Sequence, residues 1–152
     1  MNRKTKPIII VLAEDDEDDF ILIRDALKEL RILNELHWVK DGEELMDYLH
    51  RRNGYADTTM SPRPGLILLD LNMPRMDGRE ALADIKSDPK LRRIPVVVLT
   101  TSKSEEDIFN SYDLGVNSFI RKPEGFYKFV DVMQTLNKYW FEIVELPPSP
   151  DS

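Results

Sequence analysis

Cysteine is missing altogether. Without a thiol the chain has no disulfide, no thiolate nucleophile, no zinc–thiolate site and no iron–sulfur cluster, and it fits a reducing compartment. Histidine is nearly missing too. His37 and His50 are the only two, they stand far apart in the pattern, and neither has metal-ligand spacing, so both read as surface or packing residues. Positive charge is in deficit: 21 Lys and Arg face 28 Asp and Glu, a net charge of −7. A surface with that balance repels phosphates, so nucleic acid is not an expected partner, and Arg51-Arg52, Arg63 and Arg92-Arg93 read as solvated. The apolar run that follows the basic N-terminus, Ile8 to Ala13, is too short for a signal-peptide core or a membrane span. The default expectation is a soluble cytoplasmic protein with no membrane partner.

What is present suits one ordinary domain. The chain has 152 residues, 41% of them hydrophobic and 32% charged, enough for a sizeable core beneath a solvated surface. Ile8 to Ala13 is β-branched without period-two alternation, the mark of a strand buried on both faces. After an acidic run, Glu14 to Asp19, Phe20, Ile23, Leu27 and Leu30 recur at helical spacing. Leu36 to Val39 reads as a second strand, Asp41-Gly42 as a turn, and Leu45, Met46 and Leu49 as a short helix. Residues 51–65, with Asn53-Gly54 and two prolines, read as a loop. Leu66 to Leu69 is a third strand ending at Asp70; Pro74 and Asp77-Gly78 punctuate the next loop, and Ala81, Leu82 and Ile85 mark a third helix that stops near Asp88-Pro89. Val96 to Leu99 is a fourth strand ending at Thr100. Ser104 to Asp107 resembles a capping box for a fourth helix, with Gly115 as its stop. Ser118 to Ile120 is a fifth strand, closed by Lys122-Pro123. Phe126, Phe129, Val130, Met133, Leu136 and Trp140 form the apolar stripe of a last helix, and Leu146 to Pro150 reads as an extended tail. Five strands alternating with five helices predict an α/β fold: one parallel sheet with helices on both faces.

In such folds the site lies outside the carboxyl ends of the strands. Strand one ends in Glu14-Asp15-Asp16, strand three in Asp70 with Asn72 two residues on, strand four in Thr100-Thr101 and strand five in Lys122. Neighbouring carboxylates resist ionising together, and a divalent cation relieves that; hard oxygen donors with no His or Cys nearby suit Mg2+. A carboxylate can also attack phosphorus, provided the charge on three phosphoryl oxygens is neutralised. The metal, the Lys122 ammonium and the Thr100 hydroxyl or a backbone N–H supply that. Glu14 and Asp15 are chosen as the acid pair because they directly follow the strand, with Asp16 open as a helix cap. Asp18 and Asp19 read as complements of the helix dipole.

With Glu14-Asp15, Leu68-Leu69-Asp70-Leu71-Asn72-Met73-Pro74, Thr100, Phe119 and Lys122-Pro123 in this order at the strand ends, the chain resembles a receiver domain of a two-component response regulator over residues 8–140. The resemblance implies a flavodoxin-like doubly wound (βα)5 fold, with strand order 2-1-3-4-5 and five flanking helices. It implies that Asp70 accepts a phosphoryl group from a sensor histidine kinase. Mg2+ would be held by Glu14, Asp15, Asp70 and the Asn72 backbone carbonyl. Lys122 would contact the phosphoryl group, and the peptide bond to Pro123 would be cis. Thr100 and Phe119 would switch together, altering the surface of the fourth helix, fifth strand and fifth helix for dimerisation or partner binding. The expected layout is an N-terminal arm over 1–7, a receiver over 8–141 and an extended tail over 142–152, with no output domain. The long 51–65 loop and the segment Tyr139 to Pro147 resemble the single-domain regulators paired with bacterial phytochrome kinases, which often form homodimers. Trp140, Phe141, Ile143 and Val144 suggest an interface, and Thr101 is larger than the Ala or Gly frequent in the family, which would slow water access to an acyl phosphate.

Other classes fit less well. A haloacid-dehalogenase-type phosphatase carries an Asp-x-Asp pair on its first strand, whereas Asp70-Leu71-Asn72 lacks the second Asp and sits on the third. A flavodoxin-like cofactor binder wants a phosphate-cradling loop after strand one, where Glu14 to Asp19 would repel a phosphate. A pseudo-receiver that only binds partners is the main alternative. On the leading reading the protein is a phosphoacceptor switch rather than an enzyme.

Overall fold

The computed structural model describes residues 8–100 and 118–138. The N-terminal arm, Thr101, the 104–115 helix and the tail fall outside these residues, as do the side chains of Thr100 and Phe119. Five strands, β1 Ile10–Ala13, β2 Leu36–Val39, β3 Leu66–Asp70, β4 Val96–Thr100 and β5 Ser118–Arg121, form one parallel sheet in the order β2-β1-β3-β4-β5. That is the expected doubly wound order. Among the described residues four α-helices flank it: α1 Glu17–Glu29, α2 Gly42–His50, α3 Gly78–Ser87 and the C-terminal helix Phe126–Leu136.

The unbroken apolar strands are explained by which layer each residue feeds. Successive side chains of a strand point to opposite faces. Val11, Ala13, Ile67, Leu69, Val96 and Val98 pack toward α2 and α3. Ile10, Leu12, Leu66, Leu68, Val97 and Leu99 pack toward α1 and the C-terminal helix. All twelve are fully buried, and burying each large one is worth roughly 1.5–3 kcal/mol. The predicted stripe of the last helix follows suit, with Phe129, Met133 and Leu136 buried.

Helix starts are set by aspartates. Asp16 caps α1 by accepting from the Asp18 and Asp19 N–H groups, Asp41 caps α2 through Glu44 N–H, and Asp77 caps α3 through Glu80 N–H. Asp41-Gly42, read as a turn, and Asp77-Gly78, read as loop punctuation, are therefore cap-plus-first-residue pairs. The 51–65 segment contains one 3₁₀ turn, Asn53–Tyr55, and is pinned to the body: Tyr48 Oη donates to the Pro62 carbonyl at 2.6 Å, and buried Ser61 donates to the Tyr55 carbonyl at 2.9 Å. No helix among the described residues is long and apolar enough to cross a membrane.

Candidate functional site

The parallel register brings the carboxyl ends of β1, β3, β4 and β5 to one rim. Asp70 is the last residue of central β3 and is 3% exposed, and Glu14, the first residue past β1, is wholly buried. Asp15 is exposed beside them. One carboxylate oxygen from each of Glu14, Asp15 and Asp70 lies within 4.8 Å of the others. Asn72 N–H donates to Asp70 Oδ1 at 3.1 Å and Asp16 N–H to Glu14 Oε2 at 3.1 Å, so backbone donors aim both acids. Lys122, just past β5, lies across the cluster. Its Nζ is paired with Glu14 Oε1, lies 2.8 Å from Asp19 Oδ2 and 3.3 Å from Asp70 Oδ2, and the side chain is 6% exposed.

The charges shape one another. Burial, and then the Asp70 carboxylate beside it, push Glu14 from an ordinary 4.5 up to about 8, against the pull of Lys122. Burial pulls the Lys122 ammonium down, but hydrogen bonds to Asp19 and Glu14 and the charge of Asp70 outweigh it, so the net shift is upward. The ammonium is therefore a permanent counter-ion for a cluster that remains short of positive charge. Three hard oxygen donors, one of them a buried carboxylate whose ionisation is opposed by burial and by the neighbouring Asp70, fit a small divalent cation.

Neighbouring backbone holds this rim rigidly. A Cβ on Gly78 would stand 2.4 Å from the Asp70 carbonyl oxygen and 2.6 Å from Leu71 Cα. A Cβ on Gly42 would stand 2.1 Å from the Met76 carbonyl oxygen, which Gly42 N–H already binds at 2.9 Å. The first turns of α3 and α2 thus rest directly on the loop after Asp70. On the other side, Trp38 Nε1 donates to the Glu14 carbonyl at 2.7 Å while its ring stacks on Phe20, centroids 4.1 Å apart and planes 5° apart.

A family model described as the response regulator receiver domain matches residues 10–134. The chain belongs to that family. Response regulator Rcp1 of Synechocystis sp. is 45% identical over 141 residues, covering 93% of this receiver and 94% of Rcp1. The crystal structure of the Mn(2+)-bound form of Rcp1 is similar at TM-score 0.84 and 44% identity, over 93% of this chain and 100% of that one. That of the phosphorylated cyanobacterial phytochrome response regulator RcpA reaches TM-score 0.86 at 45% identity, over 94% and 100%. The receiver is thus related to phytochrome response regulators.

The receiver brings together Glu14, Asp15, Asp70 and Lys122, with Asn72 tied to the cluster through its N–H. Thr100 ends β4 and Phe119 lies in β5, paired with Arg121 and Val98 respectively. One expectation is corrected. No described peptide bond is cis, so Lys122–Pro123 is trans. Trans is the lower-energy isomer of an X–Pro bond by roughly 0.5–1 kcal/mol, and from it the Lys122 ammonium already reaches all three carboxylates. Two residues of the site escaped the sequence reading. Asp19, assigned only to the helix dipole, is half-buried and bonded to Lys122, whereas Glu17 and Asp18 are exposed. Its signal was its position in the first turn of α1, three residues past the Asp16 cap and close behind the end of β1, which turns its side chain back over the rim. Trp38 carried no signal, since its bond is to a backbone carbonyl 24 residues away in sequence.

Proposed function

We propose that this receiver is a phosphoryl-accepting switch in which Asp70 takes the group from a sensor histidine kinase, with a phytochrome-type kinase as the input. The observation that carries it is one buried carboxylate, Asp70, lying both within the three-acid cluster and 3.3 Å from a lysine ammonium. An Asp70 oxygen attacks phosphorus, the bond from phosphorus to the donor nitrogen breaks, and the leaving imidazole keeps the electron pair and is protonated. Glu14, Asp15, Asp70 and the Asn72 carbonyl would hold Mg2+, which supplies charge neutralisation to the transferring oxygens. Lys122 binds a further phosphoryl oxygen, and the Thr100 hydroxyl another. The Mn(2+)-bound Rcp1 and phosphorylated RcpA structures support this reading by similarity. The protein is then a signalling component rather than an enzyme with an external product.

The output, on this reading, is a change at the face of β5 and the C-terminal helix, driven by Thr100 and Phe119 moving together. β5 is an edge strand of the sheet, and Ile120, Val132, Asp131 and Thr135 line a shallow, mostly apolar depression of about 280 Å³ there. Such a face suits homodimerisation or a partner protein. Intact-mass measurement after incubation with acetyl phosphate and Mg2+, followed by size-exclusion chromatography, tests both parts. One added phosphoryl group, lost with EDTA and absent from Asp70→Asn, is the expected result, with earlier elution of the phosphorylated form. No adduct with acetyl phosphate or with a histidine kinase would leave a partner-binding module without phosphotransfer.

A further inference from the structure

Lysine has three N–H donors, and Lys122 places all three among carboxylates: Glu14 from the end of β1, Asp70 from the end of β3 and Asp19 from the first turn of α1. These partners are not equivalent. Glu14 and Asp70 belong to the acid cluster, whereas Asp19 stands outside the group of three whose oxygens lie within 4.8 Å of one another. Asp19 is nonetheless held firmly: it sits three residues past the Asp16 cap, on a helix anchored in the core by Ile23, Ala26 and Leu27. Its 2.8 Å bond to Lys122 is shorter than the 3.3 Å bond from Lys122 to Asp70. A four-carbon side chain left to itself samples many rotamers, and the lysine of a phosphoacceptor site must meet the incoming group in one of them.

We propose that Asp19 is a positioning residue for Lys122: it tethers the ammonium from α1, so that the lysine can exchange its contacts with Glu14 and Asp70 for a phosphoryl oxygen without leaving the site. This rests on the phosphoacceptor reading of Asp70. It assigns α1 a part in the chemistry beyond packing, through a bond spanning 103 residues of sequence.

The test compares Asp19→Ala, Asp19→Asn and wild type. Two readouts are taken: the rate of phosphorylation by acetyl phosphate, followed by intact mass, and the Lys122 ammonium signal in ¹⁵N-lysine NMR of the unphosphorylated protein. Tethering predicts that Asp19→Ala phosphorylates about tenfold more slowly, the scale expected when one charge-assisted hydrogen bond is lost. Asp19→Asn, which keeps a carbonyl acceptor in place, recovers much of that loss. The Lys122 ammonium signal, sharp in wild type, broadens in Asp19→Ala. Both variants phosphorylating faster than wild type would mean that Asp19 acts only by repelling the anionic donor, and would overturn the proposal. So would unchanged rates with a lowered melting temperature, which would leave only a structural tie. If wild type takes up no phosphoryl group, the phosphoacceptor reading fails; an ammonium signal unchanged in Asp19→Ala then overturns the tether as well.

Discussion

Glu14 is where charge, burial and pH meet. Its folded-state value of about 8 lies above its ordinary 4.5. In metal-free protein its contribution to stability is therefore fully present below pH 4.5 and is lost as pH rises through about 8. Lys122, shifted upward from an already high value, stays charged across that window and adds no slope. Urea unfolding in EDTA should show stability falling between pH 5 and 8, by an amount on the order of a few kcal/mol, and Glu14→Gln should flatten that fall. A divalent cation needs the ionised carboxylate, so protons compete with it. Apparent Mg2+ affinity should rise with pH toward about 8, by up to tenfold per pH unit, and a calorimetric titration series in which it stayed flat would contradict this picture. The acid pair was legible in sequence because carboxylates directly followed a buried strand. The tie between Asp19 and Lys122 was not, because it depends on how α1 lies over the rim.

At the scale of elements, strands hold the reactive groups and helix starts hold the strands' ends in place. Gly78 opens α3 against the backbone of Asp70 and Leu71, at distances no Cβ tolerates. Gly78→Ala must push the end of β3 aside and should cost roughly 1–3 kcal/mol in chemical denaturation. It should also slow phosphorylation, since it moves Asp70, the proposed acceptor. Asp77→Ala removes the cap of the same helix and should cost about 1 kcal/mol while leaving Asp70 where it is. Comparing the two separates helix stability from acceptor placement. Trp38→Phe keeps an aromatic ring against Phe20 but deletes the bond to the Glu14 carbonyl. Its expected cost is about 1 kcal/mol, with a weaker Mg2+ affinity than wild type by titration. Apolar patterning located every described strand and α-helix, though not the 3₁₀ turn Asn53–Tyr55, and the Asp-Gly pairs were legible as breaks between elements. That they begin helices was not, because a cap and a turn use the same residues.

At the scale of the whole molecule, the sheet order puts the acid cluster over the centre, β1 and β3, and leaves β5 as an outer edge. Any ligand of the cluster therefore binds a site that exists only when β1, β3 and β5 are assembled, and it should stabilise the whole fold. Mg2+ at 100 times its dissociation constant should add about 2.7 kcal/mol to unfolding stability, read as a raised melting temperature that EDTA reverses. Asp70→Asn, which removes one of the clustered charges, should show a smaller rise.

Composition and order alone determined the class of this protein. Apolar runs without alternation required a sheet covered on both faces, and acids and a lysine at the ends of the first, third and fifth strands marked the candidate site, because strand ends in a parallel sheet share one rim. The tertiary structure decided what depends on distances between segments far apart in the chain. It decided that Lys122 is shared among three carboxylates, that Asp19 is one of them, that Trp38 props the backbone of Glu14, and that the peptide bond before Pro123 is trans. Periodicity reports which face a residue takes, but a bond between side chains depends on how whole elements pack, and that information lies in no single stretch of sequence.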